Sequence, residues 1–233
     1  MTATLSDLCT IAFFYLLRVG EYTYSDPKQR RRTTQFRLKD IRLWSNSTIL
    51  PHTLPLNTLL QHCTAATLTI DNQKNGKRGS VIHHEATPSP ICPIKAIIRR
   101  VAHITASPNH TPNTIIGTHF STKHPTGYTA NSRQITSTLR KAAKALNLAR
   151  QGIPPELVSS HSLRAGGATA LHLNGFDTKT IQILGRWSSD TFLTYIHHQI
   201  AAFSTGLSTA MATNIAFHNT QRTFIRPAVG NIE

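Results

Sequence analysis

The stretch TLTIDNQKNGKRGSVIHHE, residues 67–85, constrains the fold more than any other segment of the chain. Two strand-like runs, TLTI and SVIHH, flank Asn75-Gly76, a dipeptide that accepts positive φ at both central positions of a tight hairpin turn. Lys74 and Lys77 fall at the tip of that hairpin. Almost every other patterned segment carries helical spacing. The expected fold class is therefore mainly α with a small antiparallel β-sheet.

The helical segments can be placed in order. Leu8, Ile11, Ala12, Tyr15 and Val19 recur at three and four between Leu5 and Tyr22, which predicts a buried helix face with Arg18 on its flank and Glu21 one turn on. A basic, turn-rich segment with Lys28, Arg30, Arg31 and Arg32 leads to FRLKDIRLW, read as a strand around 36–44. CPIKAIIRRVAHI, with Pro93 acceptable in a first turn, presents Ile94, Ile97, Ile98, Val101 and Ile104 on one face. Residues 105–128, rich in Pro, Asn, Thr and His, read as an exposed loop.

The next segment, TANSRQITSTLRKAAKALNLAR, is amphipathic, with Ile135, Leu139, Ala142, Ala143 and Leu146 opposed by Arg133, Arg140, Lys141 and Lys144. SLRAGGATALHL should end at Asn174-Gly175, and TKTIQILG should start from Asp177 as N-cap. Beyond it come SSDTFLTYIHHQIAAF, which carries Tyr195, and an apolar stretch GLSTAMATNIAF. His197 and His198 read as a solvated pair.

Charge indicates the partner. Lys and Arg number 25 against 10 Asp and Glu, a formal charge of +15, and the cations are spread along the chain. That suits a long polyanion better than a small one. The longest apolar run, IAFFYLL, stops at Arg18, far short of the roughly 20 residues a membrane span needs. The N-terminus lacks the basic region of a signal peptide, and Cys9, Cys63 and Cys92 have no CxxC spacing. An intracellular protein without a metal site is expected.

The chemistry-bearing stretch is HSLRAGGAT, residues 161–169. His161 and Arg164 are three apart and share a helix face, and Gly166 and Gly167 leave the next turn without Cβ atoms, so the backbone can come close to a neighbour or ligand. A fixed cation and a titratable imidazole beside such a surface suit a phosphate diester. A packing glycine pair with a structural histidine and arginine fits the same residues equally well.

Arg18 in FFYLLRVGE, Lys74 in the hairpin, His161 and Arg164 in HSLR, and Tyr195 in LGRWSSDTFLTYIHH stand in the order and spacing of the tyrosine recombinase, or phage integrase, family. The chain resembles that family's catalytic domain from first helix to terminal tail, with residues 1–215 as the domain and 216–233 as tail. The wording of GRWSSDTFLTYIHH and DNQKNGKRG is similar to eukaryotic mobile-element members, which would place the protein in a nucleus. Family members usually precede this domain with a separate helical DNA-binding domain. Its absence here leads us to expect a fragment, a truncated chain or a degenerate copy.

The resemblance implies site-specific DNA recombination and integration without a cofactor. Arg18 and Arg164 resemble the arginines that hold the scissile phosphate. Tyr195 resembles the nucleophile, which forms a 3′-phosphotyrosyl link, and His161 resembles the acid/base residue. Lys74 resembles the proton donor to the departing 5′-oxygen and is preferred over Lys77. Glu21 resembles the acidic position that supports the first arginine. At the remaining donor position the gap-free match is Arg186, with Trp187 one residue late, and both stay open. Lys77, Arg78, Arg133, Arg140, Lys141 and Lys144 are the expected DNA-binding cations.

The expected partners are double-stranded DNA and further copies of the chain, the latter through the C-terminal segment after Tyr195. Two other readings share these residues: a type IB topoisomerase-like enzyme, and a catalytically inactive DNA-binding protein of mobile-element origin.

Overall fold

Helix α1, Thr2–Phe14, buries Leu8, Ile11 and Ala12 on the expected face, but it ends a turn and a half earlier than the periodicity predicts. Leu16 adopts a left-handed conformation (φ 47°), and the Leu17 N–H bonds back to the Ala12 carbonyl at 3.0 Å. This reversal closes the helix. Arg18 therefore lies outside it, as the residue that opens a short 3-10 turn, Val19–Glu21. The computed structural model describes residues 1–24, 34–70 and 79–187. Lys74, Lys77, Arg78 and Tyr195 lie outside these, as do the Asn75-Gly76 turn, the basic run at 28–32, His197, His198 and the segment 206–217.

Among the described residues four strands form an antiparallel sheet in the order Thr48–Leu50 (β2), Ile41–Ser45 (β1), Ala65–Ile70 (β3) and Ser80–Glu85 (β4). Strands β3, Ala65–Ile70, and β4, Ser80–Glu85, are the predicted hairpin, paired from Ala65 with Glu85 to Ile70 with Ser80. The strand read at 36–44 is shorter and later. A 3-10 turn occupies Leu38–Asp40, where the Asp40 carboxylate accepts from the Arg37 N–H at 2.9 Å, and β1 runs Ile41–Ser45. Between β1 and β3 lie β2, Thr48–Leu50, and α2, Leu56–His62, neither of which the sequence pattern predicts. Both are short, so neither spans enough residues for a period to show.

Ile41, Leu43, Ala66, Leu68, Ile70 and Ile82 point from the sheet into the core. Helix α3, Pro93–Thr105, meets them with Ile94, Ile97, Ile98, Val101 and Ile104, all buried as predicted. Arg100 is buried on that same face and donates to the carbonyls of Ile116, at 3.1 Å, and Thr118, and to Thr4 Oγ1 at 2.9 Å. Desolvation pushes its pKa down to about 10.

The region read as a loop at 105–128 contains a second hairpin, β5, Thr118–Ser121, with β6, His124–Thr129. Apart from Phe120 and Tyr128 its strand residues are Thr, His, Ser, Pro and Gly, so half-exposed pairing there leaves no apolar alternation to read. Helix α4, Ser132–Ala145, begins at Asn131, whose side chain accepts from the Gln134 N–H at 3.0 Å. It buries Ile135 and Ala143, whereas Ala142 and Leu146, assigned to the same face, are exposed. Helix α5, Ser160–Leu173, and α6, Thr178–Gly185, follow with the predicted caps at Asn174-Gly175 and Asp177. Among the described residues no helix is long and apolar enough to cross a membrane.

Candidate active site

Helix α5 crosses the end of α1 closely enough that only one glycine of its pair is obligatory. A Cβ on Gly167 would strike the Phe13 carbonyl and come within 2.5 Å of Leu16 Cδ2, whereas one on Gly166 would sit at an ordinary 3.6 Å from the Phe13 ring. The missing side chain at 167 is what lets the two backbones touch. Arg164, one turn earlier on α5, is thereby delivered to the loop that leaves α1.

Arg164 is buried, and its guanidinium lies between two helix ends. Nη1 donates to the Leu16 carbonyl beyond α1, and Nη2 donates to the Gly185 carbonyl at the end of α6. Carbonyls at helix C-termini lack intrahelical partners and carry the negative end of the helix dipole, so a cation there satisfies both. The Trp187 ring covers the guanidinium, with its centroid 4.1 Å from Cζ.

That aromatic cover follows from how α6 ends. Arg186 adopts a left-handed conformation (φ 57°), its N–H bonds to the Ile183 carbonyl at 3.0 Å, and the Trp187 N–H bonds to the Gln182 carbonyl at 3.0 Å. This is a Schellman closure with arginine where glycine is usual. The chain folds back so tightly that a Cβ on Gly185 would overlap the indole.

The strain at Arg186 is offset by its side chain. Its Nη2 donates to Glu21 Oε2 at 2.7 Å, and Nη1 and Nη2 approach the carbonyls of Tyr15 at 3.3 Å and Leu16 at 3.5 Å. The pair is almost wholly buried, with 4% and 0% of the two side chains exposed. Burial lowers the Arg186 pKa, Glu21 opposes that shift and Arg18 adds to it. Its Nε is buried with no hydrogen-bond partner among the described residues.

Glu21 also organises Arg18. One carboxylate oxygen accepts from the Arg18 backbone N–H at 2.8 Å and the other from Nη1 at 3.3 Å, while Arg18 Nη2 reaches the Arg186 carbonyl at 3.5 Å. The Arg18 side chain keeps 25% of its surface in solvent. His161 is exposed near the start of α5, and its N–H bonds to the Ser159 Oγ at 3.3 Å. Partial desolvation, and then the charge of Arg164, lower the imidazole pKa from its ordinary value.

Arg18, Glu21, Arg164, Arg186 and Trp187 are thus brought together, with His161 above Arg164 on the same helix. One carboxylate stands among three guanidiniums, a local excess of positive charge that suits an anion. The expected DNA-binding cations of α4 lie apart from this cluster. Arg133, Arg140, Lys141 and Lys144 line a groove of about 650 Å³ that extends from Val19, beside Arg18, to Ser160, beside His161. The sequence reading missed the site's acceptors, the carbonyls of Tyr15, Leu16 and Gly185, because a backbone group carries no signature of its own.

No protein-family model matches the chain. No curated protein matches it either. Among solved structures, the chain is similar to the Tn1549 transposon integrase in complex with transposon right end DNA, at 13% identity and a TM-score of 0.43, over 87% of this chain and 58% of that one. It is also similar to the same integrase with circular intermediate DNA, at 14% identity and a TM-score of 0.42, over 82% and 53%. The chain spans a little over half the length of those chains.

Proposed function

We propose that the protein breaks and rejoins DNA strands by the tyrosine recombinase reaction. The observation that supports this reading is the meeting of Arg18 and Arg164 around the Leu16 turn and Glu21, with Arg164 bonded to the Leu16 carbonyl 148 positions away and His161 on the same helix as Arg164. The sequence resemblance assigns Arg18 and Arg164 to one phosphate, each from a separate motif, and His161 to the acid/base role beside it.

In the proposed reaction the Tyr195 hydroxyl gives its proton to His161 and its oxygen attacks the phosphorus. The new bond joins phosphorus to the phenolic oxygen, and the bond to the 5′-oxygen breaks. Lys74 protonates that departing oxygen. Reversal with a different 5′-hydroxyl rejoins the strand, and no external energy enters because one phosphate ester replaces another.

Arg18, a quarter exposed and oriented by Glu21, supplies the accessible guanidinium for a non-bridging oxygen. Arg164 carries the same charge beneath it. Arg186 is committed to Glu21, which favours Trp187 over Arg186 as the further donor at that position. Duplex DNA and further copies of the chain are the proposed partners.

The two carbonyl bonds of Arg164 favour a second reading, in which that arginine holds helix ends together and the domain only binds DNA. A duplex nicked next to the cleavage point traps the covalent intermediate and separates the two. A protein–DNA adduct that is absent in Tyr195→Phe supports the recombinase. Binding without an adduct on any nicked duplex overturns it in favour of the binder.

A further inference from the structure

The four cations of α4 are not equivalent. Arg140 is occupied by its own chain: Nε donates to the Val158 carbonyl at 3.0 Å and Nη2 to the Glu156 carbonyl at 2.8 Å. Thr136, four residues earlier and therefore on the same face, accepts from the Ser160 N–H at 3.3 Å. One face of α4 thus holds three backbone groups within residues 156–160. That stretch is otherwise fixed by two turn bonds, from the N–H groups of Leu157 and Val158 to Pro154 and Pro155, and by the Ser159 cap. His161 is the next residue. Arg133, Lys141 and Lys144 are exposed and hold no backbone carbonyl among the described residues.

From this we infer that Arg140 is a positioning residue for His161, clamping the approach to α5, and that Arg133, Lys141 and Lys144 are the α4 cations that take backbone phosphates. The inference rests on the reading of His161 given above. A guanidinium is suited to the clamp because its planar fork reaches two carbonyls at once, whereas an ammonium is a point charge that reaches one. Each clamp bond is solvent-exposed, so its loss should loosen the local chain without unfolding the domain.

The full chain separates clamp from charge. Arg140→Gln removes both, Arg140→Lys keeps the charge but cannot bridge the two carbonyls, and Lys144→Gln removes only a charge. The first readout is the His161 imidazole titration by NMR in the free protein, assigned by its disappearance in His161→Gln. The second is the salt dependence of binding to a DNA duplex.

Both Arg140 variants should raise the His161 proton affinity, by about threefold, as the ring moves toward solvent and away from Arg164. Both should leave the salt slope unchanged. Lys144→Gln should lower that slope by about 0.9 and leave His161 untouched. An unmoved His161 titration in Arg140→Lys, or a salt slope in Arg140→Gln that falls as far as in Lys144→Gln, would overturn the inference. The titration is read without DNA, so failure to form a covalent adduct counts against the proposed reaction and not against the clamp.

Discussion

Replacing each glycine of the α5 pair by alanine measures how much of the site depends on the contact between α5 and α1. At Gly166 the new methyl meets only the Phe13 ring at 3.6 Å, within the ordinary range of carbon contacts. The variant should gain the helix preference of alanine over glycine, about 0.5–1 kcal/mol. At Gly167 the methyl would strike the Phe13 carbonyl and Leu16 Cδ2, the latter at 2.5 Å. Contact at about 3.5 Å requires α5 to lift by roughly 1 Å.

Overpacking of this kind costs about 1–3 kcal/mol. Here the lift also stretches the bonds from Arg164 to Leu16 and Gly185 one turn away, so about 2–4 kcal/mol net is expected. The two variants should differ by about 2.5–5 kcal/mol, which separates their urea midpoints by about 1.3–2.5 M for a slope near 2 kcal/mol/M. Covalent adduct on nicked DNA should follow the same order. Equal midpoints, or a Gly167→Ala chain more stable than the natural one, would refute the close-approach argument.

Glu21→Gln leaves the buried Arg186 guanidinium without its carboxylate, a loss of about 3–5 kcal/mol, and should lower the thermal midpoint by on the order of 10 °C; an unchanged midpoint would show the pair to be dispensable. Arg164→Lys keeps the charge but cannot bridge Leu16 and Gly185, so chemical denaturation should show a loss of about 1–3 kcal/mol and nicked DNA should give no adduct. Full adduct yield from that variant would remove Arg164 from the chemistry. In the fold His103 has its pKa pushed down to about 4, chiefly by desolvation and then by Arg100, so the unfolded chain takes up the proton first. Its contribution to stability is complete above about pH 6.5 and is lost as pH falls from there toward about 4. The urea midpoint against pH should drop across that window, and less steeply in His103→Gln; identical profiles would show that His103 does not carry the effect.

Legibility followed the range of the interaction. Asp177 capping α6, Asn174-Gly175 closing α5, and the apolar face of α3 are properties of neighbours in sequence, and each was visible there. Residues 118–129 were not, because their strands carry no apolar alternation. Arg18 was readable as a candidate but was misplaced on a helix, since a left-handed turn at leucine carries none of the glycine signal that usually marks it. Arg186 hides a turn in the same way, and its reason lies in Glu21, 165 positions away.

By itself the sequence determined the mainly α composition with its hairpin and the strongly basic balance of charge, because patterning and charge are written locally, while Arg18, Glu21, His161 and Arg164 stood together only as what a family resemblance implies. Only the tertiary structure decided what those residues touch. It assigned Gly167 to a contact with α1, placed Arg164 between two helix ends under Trp187, turned Arg186 inward to Glu21, and set Arg140 on the backbone ahead of His161. The physical reason is common to all four: each partner is a backbone carbonyl, a ring or a buried carboxylate brought in from a remote segment, and its position exists only after the helices have packed.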